Sequence, residues 1–367
     1  MSLPAAGSLA ACRSGTELRP ADENGLRLPR GFRSRIVARS RQQVVPASPY
    51  RWHGAPDGGA TFAMPDGGWV YVSNSELDRR NGGVGALRFN AAGDSVDAYP
   101  ILTGTSRNCA GGATPWGSWL SCEEIDTGLV YECDPTGVNA PNVWPALGRF
   151  NHEAAAVDRD GRIYLTEDKP DGCLYRFTAA DTIRDIKGIR PDLSGGRLEA
   201  MLVDTQGNAS WREIPDPGVV HNTPTRYQVF SAARFRGGEG IAYLDGKLYF
   251  ATKIDNRVWE YDIDLARVRM VYDAASPVLS GVDNVTTLFG HIVIAEDGGD
   301  MQIVLLSPAG AVRPLLQVTG QPLSEITGPA FDPRFKRLYF SSQRGVTGAP
   351  GDGITYEVTG DFAALLN

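Results

Sequence analysis

Arg162-Ile163-Tyr164-Leu165-Thr166-Glu167-Asp168, followed after a short turn by Leu174-Tyr175-Arg176-Phe177, is a phrase that this chain repeats six times. An apolar strand runs to a polar or acidic pair, a few turn residues follow, and a second strand begins. The other copies open with Trp69-Val70-Tyr71-Val72, Ser118-Trp119-Leu120-Ser121, Lys247-Leu248-Tyr249-Phe250, His291-Ile292-Val293-Ile294 and Arg337-Leu338-Tyr339-Phe340. Most copies also carry a leading strand, as in Glu153–Asp158, Glu239–Tyr243, Asn284–Leu288 and Gly328–Phe331. Three or four short antiparallel strands per copy, at a spacing of about 44 to 50 residues, is the unit of a β-propeller. A β-sandwich would not need six copies of one phrase.

The fold expected is therefore all-β: a six-bladed β-propeller forming one domain over residues 28–367, after an N-terminal tail at 1–27. The longer gap between the third and fourth copies reads as an insertion at 183–232, with a strand at Ala200–Val203 and Trp211 as an anchor. The segment Arg35-Ile36-Val37-Ala38 is expected to complete the sixth blade, because closing the ring with a strand from the other terminus removes an exposed edge.

Composition narrows the partners. The net charge is -7 and no Lys/Arg cluster is present, which argues against nucleic acid. No apolar run reaches the roughly 18 residues that span a bilayer. The five cysteines form no CxxC pair, which removes a zinc ribbon, and are too few for a disulfide scaffold of this size. Leu9-Ala10-Ala11-Cys12 fits the site at which bacterial lipoproteins are cleaved and lipidated. Only eleven residues precede Cys12 and none is basic, so this reading requires an incomplete start.

In a propeller the innermost strands line a channel, and polar residues at one mouth converge. Taking the strand that opens each phrase as innermost, the convergent set is Glu76, Glu123, Glu124, Glu167, Asp168, Glu296 and Asp297. Lys253 and Gln343 hold the matching places in the other two copies, and the leading segments add His152-Glu153, Glu239, Asp283-Asn284 and Glu325. Crowded carboxylates raise one another's pKa and need compensation. Oxygen ligands suit calcium, and a thiolate or imidazole beside them suits a transition metal. Cys109 and His152 are placed to reach the mouth, whereas Cys122, Cys133 and Cys173 read as core. The competing reading of the acids is solvated strand ends paired with arginine.

These residues also resemble a known family. Asn108-Cys109-Ala110-Gly111-Gly112, Thr114-Pro115-Trp116-Gly117, Cys122-Glu123-Glu124, Gly148-Arg149-Phe150-Asn151-His152-Glu153, Glu239-Gly240, Asp283-Asn284, Glu296-Asp297-Gly298 and Glu325-Ile326-Thr327-Gly328-Pro329 occur in the order seen in the PhoX-type alkaline phosphatases and their shorter relatives. The resemblance runs from about Leu28 to the C-terminus. It implies a bacterial, exported, metal-dependent phosphomonoesterase with iron and calcium ions at one mouth of a six-bladed channel, acting as a monomer on a small phosphomonoester. It implies iron ligands at Cys109, Glu153 and Glu239. It implies calcium or supporting roles for Glu124, Glu167, Asp168, Asp283, Asn284, Glu296 and Asp297. Two departures stand out. Ser75 replaces a histidine, and Gly237 replaces an arginine that helps to hold phosphate, so Arg236 or Lys253 would have to supply that charge. A calcium-dependent hydrolase of the lactonase type and a non-catalytic ligand-binding propeller are the alternatives. The location implied is the periplasm or the medium, with lipidation at Cys12 if the start is incomplete, and the cytoplasm as the alternative.

Overall fold

The computed structural model describes residues 17–181, 186, 188–273 and 278–366; Cys12 and residues 183–185 and 187 of the expected insertion lie outside them. Six antiparallel sheets surround one axis. Blade one is Pro56–Ala63, Trp69–Ser75, Gly82–Phe89 and Ser95–Thr105, and blade two is Asn108–Ala113, Trp119–Glu123, Val130–Cys133 and Asn142–Val143. Blade three begins with His152–Val157, Ile163–Glu167 and Leu174–Ala179. Blade four is Gly238–Leu244, Lys247–Thr252, Arg257–Asp262 and Arg267–Tyr272. Blades five and six start at Val282–Leu288 and Ile326–Phe331.

The order of strands within a blade corrects one expectation. The leading strands, not those that open the phrase, are innermost. Together they line a central channel of about 350 Å³. Its wall is Gly58–Thr61, Ala110–Ala113, Ala154–Val157, Gly240–Tyr243, Asn284–Thr287 and Gly328–Phe331. The reason is steric. A methyl group added at Gly58 would lie 2.5 Å from Ala110 Cα, and one at Gly240 would lie 2.3 Å from Val285 N. Six strands can crowd one axis only where side chains are this small. The apolar phrase strands sit one step out, where both faces are covered by neighbouring blades, as Val70, Leu165, Phe250, Ile294 and Phe340 show by their full burial.

The stretch 183–232 is also used differently. Gly196–Val203 pairs with Leu174–Ala179, and Ala209–Glu213 pairs with Gly196–Val203. Both are outer strands of blade three. The remainder crosses to blade four and is tied down at the end of the phrase strand of blade three, where Arg226 meets Glu167 at 3.1 Å and Asp171 at 3.1 Å.

The ring closes through the N-terminal segment, as expected. Arg33–Arg39 pairs with Ile354–Thr359 as the outer strand of blade six. Leu26–Arg27 does the same for blade five, against Val312–Val318. Across the seam between blades six and one, Tyr71 stacks on Tyr339 at 5.2 Å and Trp69 Nε1 donates to Tyr339 Oη at 3.2 Å. Deleting residues 1–39 should therefore unzip two blades. Losing the buried Leu26 and Leu28 alone costs about 3 to 6 kcal/mol. The truncated protein is expected to melt non-cooperatively or aggregate, and a cooperative melt within a few degrees of the full chain would refute this account of closure.

Candidate metal centre

Each inner strand breaks register near its start. The breaks fall between Pro56 and Gly59, Asn108 and Gly111, His152 and Ala155, Gly238 and Ile241, Val282 and Val285, and Thr327 and Ala330. A β-bulge re-aims side chains that would otherwise alternate across the sheet. Here the break puts Asp57, Cys109, Glu153, Glu239 and Asp283 at equivalent places in five blades, with Thr327 in the sixth. The carbonyls freed by the bulges are collected by neighbouring blades: Asn74 Nδ2 donates to Cys109 O and Ala110 O at 3.1 and 2.7 Å, and Thr166 Oγ1 donates to Glu239 O at 2.6 Å.

A second ring lies just outside. The residue after each phrase strand is Glu76, Glu124, Asp168, Lys253, Asp297 or Gln343. Its backbone N–H donates to the carbonyl of Ala55, Arg107, Asn151, Gly237, Gly281 or Glu325 respectively, at 2.8 to 3.3 Å. That carbonyl belongs to the residue two places before the first ring, so the two rings are locked together blade by blade.

The rings bring three ligand groups together. Cys109, Glu124 and Glu153 form one, Glu153, Glu239 and Asp283 the next, and Asp283, Asp297 and Glu325 the third; within each, one ligand atom per residue lies within 4.8 Å of the others. Glu153 and Asp283 are shared, so the groups are contiguous. Burial, and then its neighbouring carboxylates, push Asp57, Glu153 and Glu325 well above the usual carboxylate range. Burial and Asp283 raise Glu239, against the opposing pull of Lys253. Burial lifts Asp283 to about 6 and Glu124 to about 7, although Lys253 and Arg107 respectively oppose it. Burial, then Asp57 and Glu153, raises the Cys109 thiol.

The donor set fits bound cations. Glu153 Oε1 is buried without a hydrogen-bond donor. Glu239 Oε1 has the Lys253 ammonium at 3.3 Å, off the hydrogen-bonding direction. An orphaned buried carboxylate oxygen is costly and calls for a partner. Lys253 is a protein cation that reaches three of these carboxylates, with Glu239, Asp297 and Asp283 at 3.3, 3.0 and 3.7 Å.

Of the residues expected from sequence, the structure gathers Cys109, Glu124, Glu153, Glu239, Asp283, Asp297, Glu325 and Lys253. Asn284 supports them, its Nδ2 donating to Asp283 Oδ1 at 2.7 Å while its Oδ1 accepts from Gly328 N at 2.7 Å. Asp168 stands at the half-buried rim and adds its charge to Glu124, Glu239 and Asp283.

Glu167 and Glu296 do not join the cluster. Glu167 accepts from Cys173 N, Tyr175 Oη and Arg226 Nη1 at 2.8 to 3.1 Å, and Glu296 accepts from Ser280 N and Gln302 N at 2.8 Å. They close the turns of their own blades. Arg236 is exposed and, among the described residues, pairs with none of the cluster's carboxylates. His152 is buried and packed on Phe150, with Nε2 3.1 Å from Gly148 O.

Sequence reasoning missed Asp57, whose Oδ2 lies 3.7 Å from Cys109 Sγ and 2.5 Å from Gln343 Nε2. It also missed two cations at the mouth. Arg107 contacts Glu76 and Glu124 at 3.2 and 2.8 Å, and Arg344 contacts Glu325 and Glu76 at 3.0 and 3.6 Å. The available signal for Arg107 was its place two residues before Cys109.

Two measurements test this geometry. Raised carboxylate pKa values mean that the folded chain holds protons that the unfolded chain releases near pH 4. The metal-free protein should therefore lose stability as pH rises from about 4.5 towards 7, the window set by Asp283 and Glu124. Metal-loaded protein should not, and identical pH profiles of melting temperature for the two forms would contradict the cluster. Cys109→Ser should lower bound transition metal, while Cys122→Ser, fully buried among Leu120, Val130 and Leu165, should not.

The profile of the family alkaline phosphatase PhoX matches residues 54–129 and 125–270, more than half of the chain. No match is found among curated protein sequences. Among solved structures, Pseudomonas fluorescens PhoX in complex with vanadate, a transition-state analogue, superposes with a TM-score of 0.78 at 17% identity, over 94% of this chain and 98% of the other. A gluconolactonase from Xanthomonas campestris gives 0.53 at 15% identity, over 95% and 98%, and the calcium-binding protein regucalcin from Agrobacterium tumefaciens gives 0.51 at 14%, over 89% and 96%. With two contiguous parts of its sequence matching one profile on a six-bladed ring, the chain belongs to the PhoX alkaline phosphatase family.

Proposed function

We propose that this protein is a phosphomonoesterase whose iron and calcium ions are held at the bulged mouth of the propeller. The observation that carries the proposal is the contiguous donor set of one thiol and six carboxylates, with Glu153 and Asp283 each shared between two groups. A thiol beside carboxylates suits iron at the Cys109 end, and the all-oxygen groups at Asp283, Asp297 and Glu325 suit calcium. Ions bound there would supply positive charge to offset that of the phosphoryl oxygens.

The chain's own residues do the positioning. Asn284 fixes Asp283, and Asn74 and Thr166 hold the bulges that aim Cys109 and Glu239. Lys253 brings an ammonium to the mouth within 3.0 to 3.7 Å of three carboxylates, which keeps it charged and holds those carboxylates together. Positioned charge is most of what phosphoryl transfer asks of a protein. The vanadate complex of the Pseudomonas fluorescens relative supports the same class of reaction. We place the enzyme outside the cytoplasm, as a monomer; no helix among the described residues is long and apolar enough to cross a membrane.

Protein purified without chelator is expected to carry iron and calcium by elemental analysis and to release phosphate from an aryl monoester at alkaline pH. Glu239→Gln should lower that rate about 100- to 1000-fold, the scale of losing one well-placed stabilising group. A single calcium with turnover of lactones would replace this reading by the gluconolactonase one. Calcium with no turnover of either class would leave a ligand-binding propeller.

A further inference from the structure

The place two residues before the first ring is a six-fold position, fixed by the carbonyl that accepts the N–H of the second ring. Its occupants are Ala55, Arg107, Asn151, Gly237, Gly281 and Glu325. In four blades it is left-handed, with φ of +45° at Ala55, +51° at Arg107, and +66° at both Gly237 and Gly281. Glycine takes this conformation freely, and blades four and five use it. A long side chain there is uncommon and needs the surroundings to impose it. Arg107 is pinned on both sides: its N–H donates to Leu77 O at 2.8 Å, and its carbonyl accepts from Glu124 N at 2.8 Å.

What this strained position delivers is a guanidinium at the mouth. Its Nη2 lies 2.8 Å from Glu124, a member of the Cys109 group, and 3.2 Å from Glu76, yet its side chain stays 42% exposed. Arg344 mirrors it from blade six, 3.0 Å from Glu325 in the Asp283 group and 3.6 Å from the other oxygen of Glu76, with its side chain 40% exposed. One carboxylate thus holds two half-exposed guanidinium groups, each against a different end of the ligand cluster. Arg236 is exposed without pairing to the cluster, and Lys253 is committed to three carboxylates.

We propose that Arg107, with Arg344 across Glu76, is the anion clamp of this site and holds the phosphoryl oxygens of the substrate. This rests on the phosphomonoesterase reading and adds to it the place where the phosphate is gripped: the side of blades six, one and two rather than blade four. A planar guanidinium offers paired donors in the geometry of phosphate oxygens, which an ammonium does not.

The test is equilibrium binding of inorganic phosphate to the metal-loaded full chain, with metal content measured on the same samples. Arg107→Gln is expected to weaken phosphate about 10- to 100-fold, the range for a hydrogen bond to a charged group, at unchanged metal content. It should raise KM for an aryl phosphate by a similar factor. Arg107→Lys should recover part of the affinity, because charge returns without the fork. Arg344→Gln should weaken binding in the same direction, and the double variant more than either. Phosphate affinity equal to wild type in Arg107→Gln overturns the inference. So does a loss that only tracks lost metal, which would make Arg107 a support for Glu124, or a loss produced by Arg236→Ala instead. If wild type binds phosphate through Arg107 but hydrolyses no monoester, the clamp stands and the hydrolase reading falls; wild type that binds no phosphate removes both.

Discussion

Repulsion among carboxylates that the backbone itself forces together governs this molecule. Six bulges at six equivalent places turn one side chain per blade towards a common axis, and four of the six are Asp57, Glu153, Glu239 and Asp283. Two like charges 4.8 Å apart repel by about 3 kcal/mol at an effective dielectric near 20. Several such pairs rival the whole stability of a typical domain, about 5 to 15 kcal/mol. The chain answers in two ways. Lys253, Arg107 and Arg344 each bridge two or three of the carboxylates. The oxygens they do not satisfy, with Glu153 Oε1 the plainest, are left for an external cation.

The sequence shows the blades because their phrase strands are apolar on both faces and recur at a regular spacing. It hides which strand is innermost. Gly58-Gly59, Ala110-Gly111-Gly112 and Ala154-Ala155-Ala156 are poor strand formers by propensity, and they are selected by crowding at the axis, which only the assembled ring creates. For the same reason Asp57, set between Pro56 and Gly58-Gly59, resembles a turn.

Parity explains the mixed outcome at the acidic pairs. Adjacent residues at a strand end face opposite ways, so one member of each pair reaches the mouth and the other does not. Glu124, Asp168 and Asp297 reach it. Glu123, Glu167 and Glu296 turn back to accept backbone N–H groups of their own blade's turns. The same place in the remaining blades is Ser75, Thr252 and Ser342, whose hydroxyls bond to Gly54 O, Asp255 Oδ1 and Ser324 Oγ. The departure at Ser75 therefore falls on a position that holds the blade rather than the chemistry. The departure at Gly237 is different, because that backbone is left-handed and points its occupant at the rim.

Closure of the ring follows from the same electrostatics. Carboxylates crowded at one mouth push the blades apart at that end, and no blade alone can resist, since each meets only its neighbours. The resistance lies in covalent continuity: blades five and six are each completed by a strand from the opposite end of the chain. The aromatic seam of Trp69, Tyr71 and Tyr339 then carries blade six onto blade one. Opening the mouth would strip the two N-terminal strands and part this seam together. A ring closed in this way can keep its bulges, and the charges they aim, in the positions that the proposed metal centre requires before any cation arrives.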